Sequence, residues 1–118
     1  MPEVVCQPAL LNQALLNLCV NAVEAMDARG GRLTVRTSPS GDGVCIEVVD
    51  DGRGIEPGHL PRIFDPFFTT KPVGAGTGLG LAVAFGIVQQ HHGTLTATST
   101  PGVGSCFRIE LPARPAPR

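Results

Sequence analysis

Gln13, Asn17 and Asn21 follow one another at intervals of four inside a stretch that is otherwise apolar. At helical spacing the three amides stack on one face. Asn is a poor helix former, so two of them in one helix call for an offsetting role. For a lone Asn an exposed polar face would be the plainer reading. For a repeated stripe, amide oxygens that help hold Mg²⁺ are the better one, because Mg²⁺ takes hard oxygen ligands together with waters and substrate phosphates. A second group is Asp50-Asp51-Gly52-Arg53-Gly54. A carboxylate at a strand end can accept a hydrogen bond from an exocyclic amine, and the following glycines let a flat ring approach the backbone. Alone it is equally an Asp-Gly turn. The third group is Gly74-Ala75-Gly76-Thr77-Gly78-Leu79-Gly80-Leu81, which leads directly into an apolar segment. A glycine-rich loop opening a helix offers free N–H groups to phosphate. It is not a Walker A loop, lacking G-K-[ST]. It is not a dinucleotide fingerprint either, since no glycine stands five residues after Gly74, Gly76 or Gly78. Lys71 and Thr77 flank it and could contact phosphate oxygens.

These groups need elements to hold them. Leu11, Ala14, Leu15, Leu18, Ala22 and Met26 recur at helical spacing from Pro8 until Arg29-Gly30-Gly31. Residues 32–37 alternate and read as a strand, residues 38–43 as a turn, and residues 44–49 as its hairpin partner. A loop over residues 50–57, a short helix within 60–68 and a mobile loop over 69–77 follow. A helix is expected from about Gly78 to His92, ending at Gly93. Two strands, 94–99 and 105–111, flank the Pro101-Gly102 turn. Residues 3–6 read as the end of another strand. Short connections imply antiparallel neighbours, so the expected fold is an α/β two-layer sandwich: a mixed, mostly antiparallel sheet with both long helices on one face.

The bulk properties narrow the setting. A length of 118 residues fits one domain, and 42% hydrophobic residues suffice for a core. We read residues 1–112 as that domain and 113–118, rich in proline, as a disordered tail. A formal net charge of −1 gives no field suited to nucleic acid or an anionic membrane. No apolar run nears the roughly 18 residues of a membrane span, and the start carries no signal core. A cytoplasmic domain without nucleic-acid or membrane contact is expected, whether or not its parent protein is membrane-bound. The cysteines Cys6, Cys19, Cys45 and Cys106 form no C-x-x-C pair and read as buried, reduced thiols.

Taken in order, the motifs resemble those of the ATPase family shared by histidine kinases, DNA gyrase and mismatch-repair ATPases, the Bergerat fold. Asn17-Leu18-Cys19-Val20-Asn21-Ala22 is similar to its N box and Asp50-Asp51-Gly52-Arg53-Gly54 to its G1 box. Phe64-Asp65-Pro66-Phe67-Phe68-Thr69-Thr70-Lys71 is similar to the F box, and Gly76-Thr77-Gly78-Leu79-Gly80-Leu81 to the G2 box. The F and G2 boxes in this form resemble sensor histidine kinases most. The resemblance runs over residues 4–112. It implies ATP and Mg²⁺ as ligands. Asp50 would bond the adenine amino group, and Asn21, with Asn17 nearby, would bind Mg²⁺. Gly52, Gly54, Ile55, Phe64, Thr70, Gly76, Thr77, Gly78, Leu79, Gly80 and Leu81 would line the nucleotide site, and residues 68–77 would form the ATP lid. Gyrase-like members carry a water-activating Glu where this chain has Asn17, and an amide is no base, so futile hydrolysis should be slow.

Two departures stand out. Glu24 occupies a position that is basic in some histidine kinases, which leaves Lys71 as the phosphate-facing cation beside the chemistry. His59, His91 and His92 lack the context of a phosphoacceptor. The implied acceptor is therefore a histidine on a separate dimerisation domain, with a response regulator beyond it, and the chain is expected to be an excised module. The rival readings are a serine kinase or other ATPase of the same superfamily, and a nucleotide-binding regulatory module without catalysis.

Overall fold

The computed structural model describes residues 8–26, 31–41, 43–65 and 80–112. Helix α1 spans Pro8–Ala25, strands β1 and β2 span Leu33–Ser40 and Gly43–Asp50, and a single 3₁₀ turn covers Leu60–Arg62. Helix α2 spans Gly80–Gln90, and β3 and β4 span Thr94–Thr100 and Gly104–Leu111. The expected strand at residues 3–6, the loop at 69–77 and the tail at 113–118 lie outside the described residues. No described helix is long and apolar enough to cross a membrane.

The four strands lie in the order β1-β2-β4-β3, and every described pairing is antiparallel. Two sequential hairpins are thus joined through a non-sequential β2–β4 contact, with Ile46 opposite Ile109 and Val48 opposite Phe107. Side chains alternate across a strand. Val44, Ile46 and Val48 of β2, Leu95 of β3, and Phe107, Ile109 and Leu111 of β4 accordingly share one buried face. The helices cover that face. α1 contributes Ala14, Leu18 and Ala22, all fully buried and one turn apart, and α2 contributes Ala84, Ile87 and Val88. The alanines let α1 pack against α2 while both rest on the sheet. At about 25 cal/mol per Å² of apolar surface, this single cluster is the main source of stability.

The opposite face is polar. Glu47 pairs with Arg36 at 3.5 Å and with Arg108 at 3.6 Å, and Arg108 pairs with Glu110 at 3.0 Å. Such exposed pairs contribute about 0–1 kcal/mol each. Cys45 is buried on this face; Cys19 and Cys106 are half-buried, and all three are free thiols.

The structure shifts three expected boundaries. The turn read at 38–43 is shorter than expected, because β1 and β2 pair as far as Ser40 and Gly43. Gly41, at φ 56°, supplies the positive φ that a two-residue hairpin demands. Pro39 is accommodated because β1 borders the sheet among the described residues. The second shift is at the end of α2, expected at Gly93. Its left-handed residue is His92, at φ 61°. The N–H of Gly93 bonds the Val88 carbonyl at 3.0 Å and that of His92 the Gln89 carbonyl at 3.0 Å, closing a Schellman motif. Gly93 is needed for closeness instead, since a Cβ there would strike the Glu110 carbonyl. The third is the short helix within 60–68, which among the described residues is only the 3₁₀ turn at Leu60–Arg62.

Candidate functional site

The buried face of the sheet becomes polar at one end. Following the same alternation, β2 finishes with Asp50, Ser105 is the first core-facing side chain of β4 and β3 approaches its end with Ser99, and the register sets Asp50 opposite Ser105 and Ser105 opposite Ser99. Asp50 is only 4% exposed. Its Oδ1 accepts the Gly52 N–H at 2.9 Å, while its Oδ2 is buried without a hydrogen-bond partner among the described residues. Burial pushes the Asp50 carboxyl above the usual Asp range. The Gly52 hydrogen bond opposes this, the neighbouring Asp51 adds to it, and the Ser105 backbone and Arg53 pull it down. An acceptor left unpaired in a buried position costs about 1–3 kcal/mol. A hydrogen-bond donor brought to Oδ2 relieves that cost, and a neutral amine can do so without introducing charge.

The loop after Asp50 is held from several sides. Arg53 donates its N–H to the Ala25 carbonyl at 2.9 Å and its Nη1 to the Glu24 carbonyl at 3.0 Å. α1 has no basic residue in its last turn, so Arg53 brings positive charge to that helix end from elsewhere in the chain. The Arg53 carbonyl accepts the Gly102 N–H at 2.8 Å. Ile55 donates its N–H to Ser99 Oγ at 2.7 Å. Asp51 Oδ1 accepts the Arg32 N–H at 2.7 Å. Gly54, at φ 76°, passes so near the β3–β4 turn that a Cβ would meet the Thr100 carbonyl at 2.5 Å. Gly104, at φ 149°, would drive a Cβ into the Asp50 carbonyl. Both positions therefore exclude other residues on backbone grounds.

The amide stripe forms as its spacing predicts. Gln13 Nε2 donates to Asn17 Oδ1 at 2.7 Å, and Asn17 Nδ2 donates to the Gly80 carbonyl at 3.1 Å. Asn17 thereby bridges α1 to the first residue of α2. Asn21 is half-buried one turn further along, on the side of the Arg53-bound helix end. Ile55, Phe64 and Leu81 are partly buried against the core. Phe64 stacks on Phe85 at 5.1 Å and meets Phe107 edge-on at 6.2 Å. Gly80 is exposed, with nothing within reach of an added Cβ. Thr70, Lys71, Gly76, Thr77, Gly78 and Leu79 lie outside the described residues. Among the described residues no three His, Cys, Asp or Glu side chains gather as a metal-holding group.

Sequence reasoning located Asp50 and the loop glycines but not Ser99, Ser105 or the tie made by Arg53. A signal for the serines was present. Leu95-x-Ala97-x-Ser99 and Ser105-x-Phe107-x-Ile109 put each serine on the core face of its strand, where an apolar residue would be expected.

A two-layer α/β sandwich with a buried strand-end carboxylate beside a glycine loop, and an amide stripe on the covering helix, defines a nucleotide-binding ATPase-type domain. Comparison with known proteins agrees: the chain belongs to the family of histidine kinase-, DNA gyrase B-, and HSP90-like ATPases, which matches residues 6–115. It is 48% identical to the sensor histidine kinase ZraS of Escherichia coli over 112 residues, covering 95% of this chain and 23% of ZraS. It is 44% identical to the signal transduction histidine-protein kinase AtoS of Escherichia coli over 90% of this chain and 17% of AtoS. The chain thus spans less than a quarter of the length of these curated relatives. Among solved structures, the catalytic domain of histidine kinase ThkA matches with a TM-score of 0.82 at 32% identity, covering 95% of this chain and 73% of that one. Full-length ShkA in complex with AMPPNP matches with a TM-score of 0.83 at 30% identity, covering 95% of this chain and 23% of that one. The region shared with these relatives is the ATP-binding catalytic domain of sensor histidine kinases.

Proposed function

We propose that this chain binds Mg·ATP and, within a longer parent protein, transfers the γ-phosphate to a histidine on a separate dimerisation domain, from which a response regulator takes it. The observation that carries this reading is Asp50, whose Oδ2 is a buried acceptor lacking a donor at the end of a strand bordered by Gly52 and Gly54. The adenine amino group is a donor of the right kind. Phosphoryl transfer asks the protein chiefly for positioning and charge neutralisation. The family resemblance gives those tasks to Lys71, Thr70, Thr77 and the glycines Gly76, Gly78 and Gly80, with Leu79 and Leu81 beside them. Asn21 would hold Mg²⁺, assisted by the remaining lone pair of Asn17 Oδ1, and the ion would neutralise charge on the phosphates. Asn17 cannot take a proton from water, so ATP is preserved for the acceptor. Residues 1–112 act as one catalytic unit in the cytoplasm, where ATP is available, wherever the parent is anchored.

Calorimetry with ATP and GTP tests the reading. A hydrogen bond to a charged group is worth about 1.5–3 kcal/mol, so Asp50→Ala should weaken ATP binding about ten- to a hundredfold. GTP, which carries a carbonyl where adenine has its amine, should bind the parent chain poorly. Equal affinity for the two nucleotides would contradict the assignment.

A further inference from the structure

The Ser99 hydroxyl, on β3, ties the loop after β2 to the start of β4. Its Oγ accepts the Ile55 N–H at 2.7 Å, lies 3.0 Å from the Gly104 carbonyl and 2.9 Å from Ser105 Oγ. A serine hydroxyl has one proton and two lone pairs. The Gly104 carbonyl can only accept, so the Ser99 proton goes there. Ser105 must then donate to Ser99, and both Ser99 lone pairs are filled, one by Ile55 and one by Ser105. Every hydrogen-bonding valence of this side chain is thus used, one on the loop after β2 and two on the first two residues of β4. Ile55 closes the glycine loop, Gly104 abuts the Asp50 carbonyl, and Ser105 is the cross-strand partner of Asp50.

We propose that Ser99 is a positioning residue for the nucleotide site: its hydroxyl fixes the distance between the loop ending at Gly54-Ile55 and the carboxylate of Asp50, and so sets how well the site accepts adenine in preference to other bases. The proposal rests on the reading of Asp50 as the adenine contact. Asp50 is held by the β2–β4 ladder whether or not the Ser99 hydroxyl is present. The loop facing it has no such ladder. At its far end it is secured through Ile55, and the Ile55 N–H is bonded to Ser99 Oγ. Removing the hydroxyl strips Ile55 of that acceptor and Gly104 of that donor, and leaves the Ser105 proton free to turn elsewhere. The carboxylate would stay in place while the wall opposite it loosens. Ground-state nucleotide affinity and base preference should therefore change.

The test compares the full chain with Ser99→Ala, Ser99→Thr and Thr98→Ala, the last on the same strand with its side chain on the polar face. ATP and GTP affinities are read by calorimetry and backbone amide exchange by NMR. Loss of the neutral hydrogen bond that secures Ile55 predicts ATP binding weakened about three- to tenfold in Ser99→Ala. The ATP preference over GTP should narrow, and exchange should quicken selectively at Ile55. Ser99→Thr, which keeps the hydroxyl on a residue favoured in strands, should return all three readouts towards the parent, and Thr98→Ala should leave them unchanged. If Ser99→Ala does not fold, Ser99→Thr still decides: a folded threonine variant as weak and as unselective as an Asp50→Ala chain overturns the proposal. It is also overturned if Ser99→Ala keeps parental affinity, base preference and Ile55 protection, or if exchange quickens evenly over the whole sheet. A parent chain that binds ATP and GTP equally would instead count against the underlying Asp50 assignment.

Discussion

Asp50 carries a conflict between folding and binding. Its carboxyl is buried, and burial raises its pKa above the ordinary Asp range, only partly offset by the Gly52 N–H on Oδ1, the Ser105 backbone and Arg53. A group whose folded-state pKa is raised gives its full contribution to stability at pH values below the unfolded pKa, and that contribution is lost as pH rises through the folded pKa. At pH values above the ordinary Asp range, Asp50 is therefore a net cost to the nucleotide-free fold. Asp50→Asn removes the charge and can keep the Gly52 hydrogen bond. Its unfolding temperature at pH 7 should exceed that of the parent, and the gap should close as pH falls through the window above the ordinary carboxylate range. The same variant presents an NH₂ donor to the adenine amine, so ATP affinity should fall at least about tenfold. Thermal scans from pH 4 to 7, paired with ATP titrations, check both halves. A variant that loses stability at pH 7 while keeping ATP affinity would show that Asp50 serves the fold and not the nucleotide.

The helices and strands carry their own predictions. His92 adopts a left-handed conformation at φ 61°, which is costly for a residue with a Cβ. His92→Gly should stabilise the domain by about 0.5–1 kcal/mol after the added flexibility of the unfolded chain is counted, read as a higher denaturation midpoint in urea. On α1, Asn17 is tied to Gln13 and Gly80, whereas Asn21 is half-buried one turn further on. Asn21→Ala should leave α1 folded by circular dichroism and weaken Mg²⁺-dependent nucleotide binding, and Asn21→Asp should alter its metal dependence. Parental Mg·ATP binding in both would reduce the stripe to a polar face. The elements themselves were legible because their signals are local: apolar spacing in α1, alternation in β2 and β4. The turn at 38–43 was read too long because tolerance of Pro39 in a strand depends on whether a neighbouring strand needs its N–H, and α2 was read two residues too long because its end is set at Gln90 by the left-handed His92, while Gly93 is demanded by closeness to Glu110. In the site, Asp50 could be read from its strand end and following glycines. Ser99 showed only as a polar residue on the core face of its strand and Arg53 not at all, because their partners lie 44 and 29 residues away in sequence and are set by sheet register and helix docking.

At the scale of the whole molecule, four antiparallel strands and two covering helices bring residues from both halves of the chain to one end of the sheet. α1 and the loop after β2 come from the first half, and α2 with the β3–β4 turn from the second. Arg53 links the loop to α1 and to Gly102, Ser99 links it to β3 and β4, and Asn17 links α1 to α2. Each half alone would lack a wall of the site. The chain matches less than a quarter of the length of its sensor kinase relatives, and its histidines His59, His91 and His92 have no phosphoacceptor role in the proposed mechanism. His91 is already engaged, its Nδ1 lying 2.8 Å from the Ile87 carbonyl. In-line transfer requires reacting atoms about 3–3.5 Å apart, a distance that only a docked acceptor histidine can provide. The most direct measurement incubates the chain with γ-labelled ATP and Mg²⁺, alone and with the parent's phosphoacceptor domain, and follows acid-labile protein-bound label. The account predicts no label on the isolated chain, slow release of phosphate, and label on the acceptor histidine once that domain is added; acid-labile label on His59, His91 or His92 of the isolated chain would contradict it.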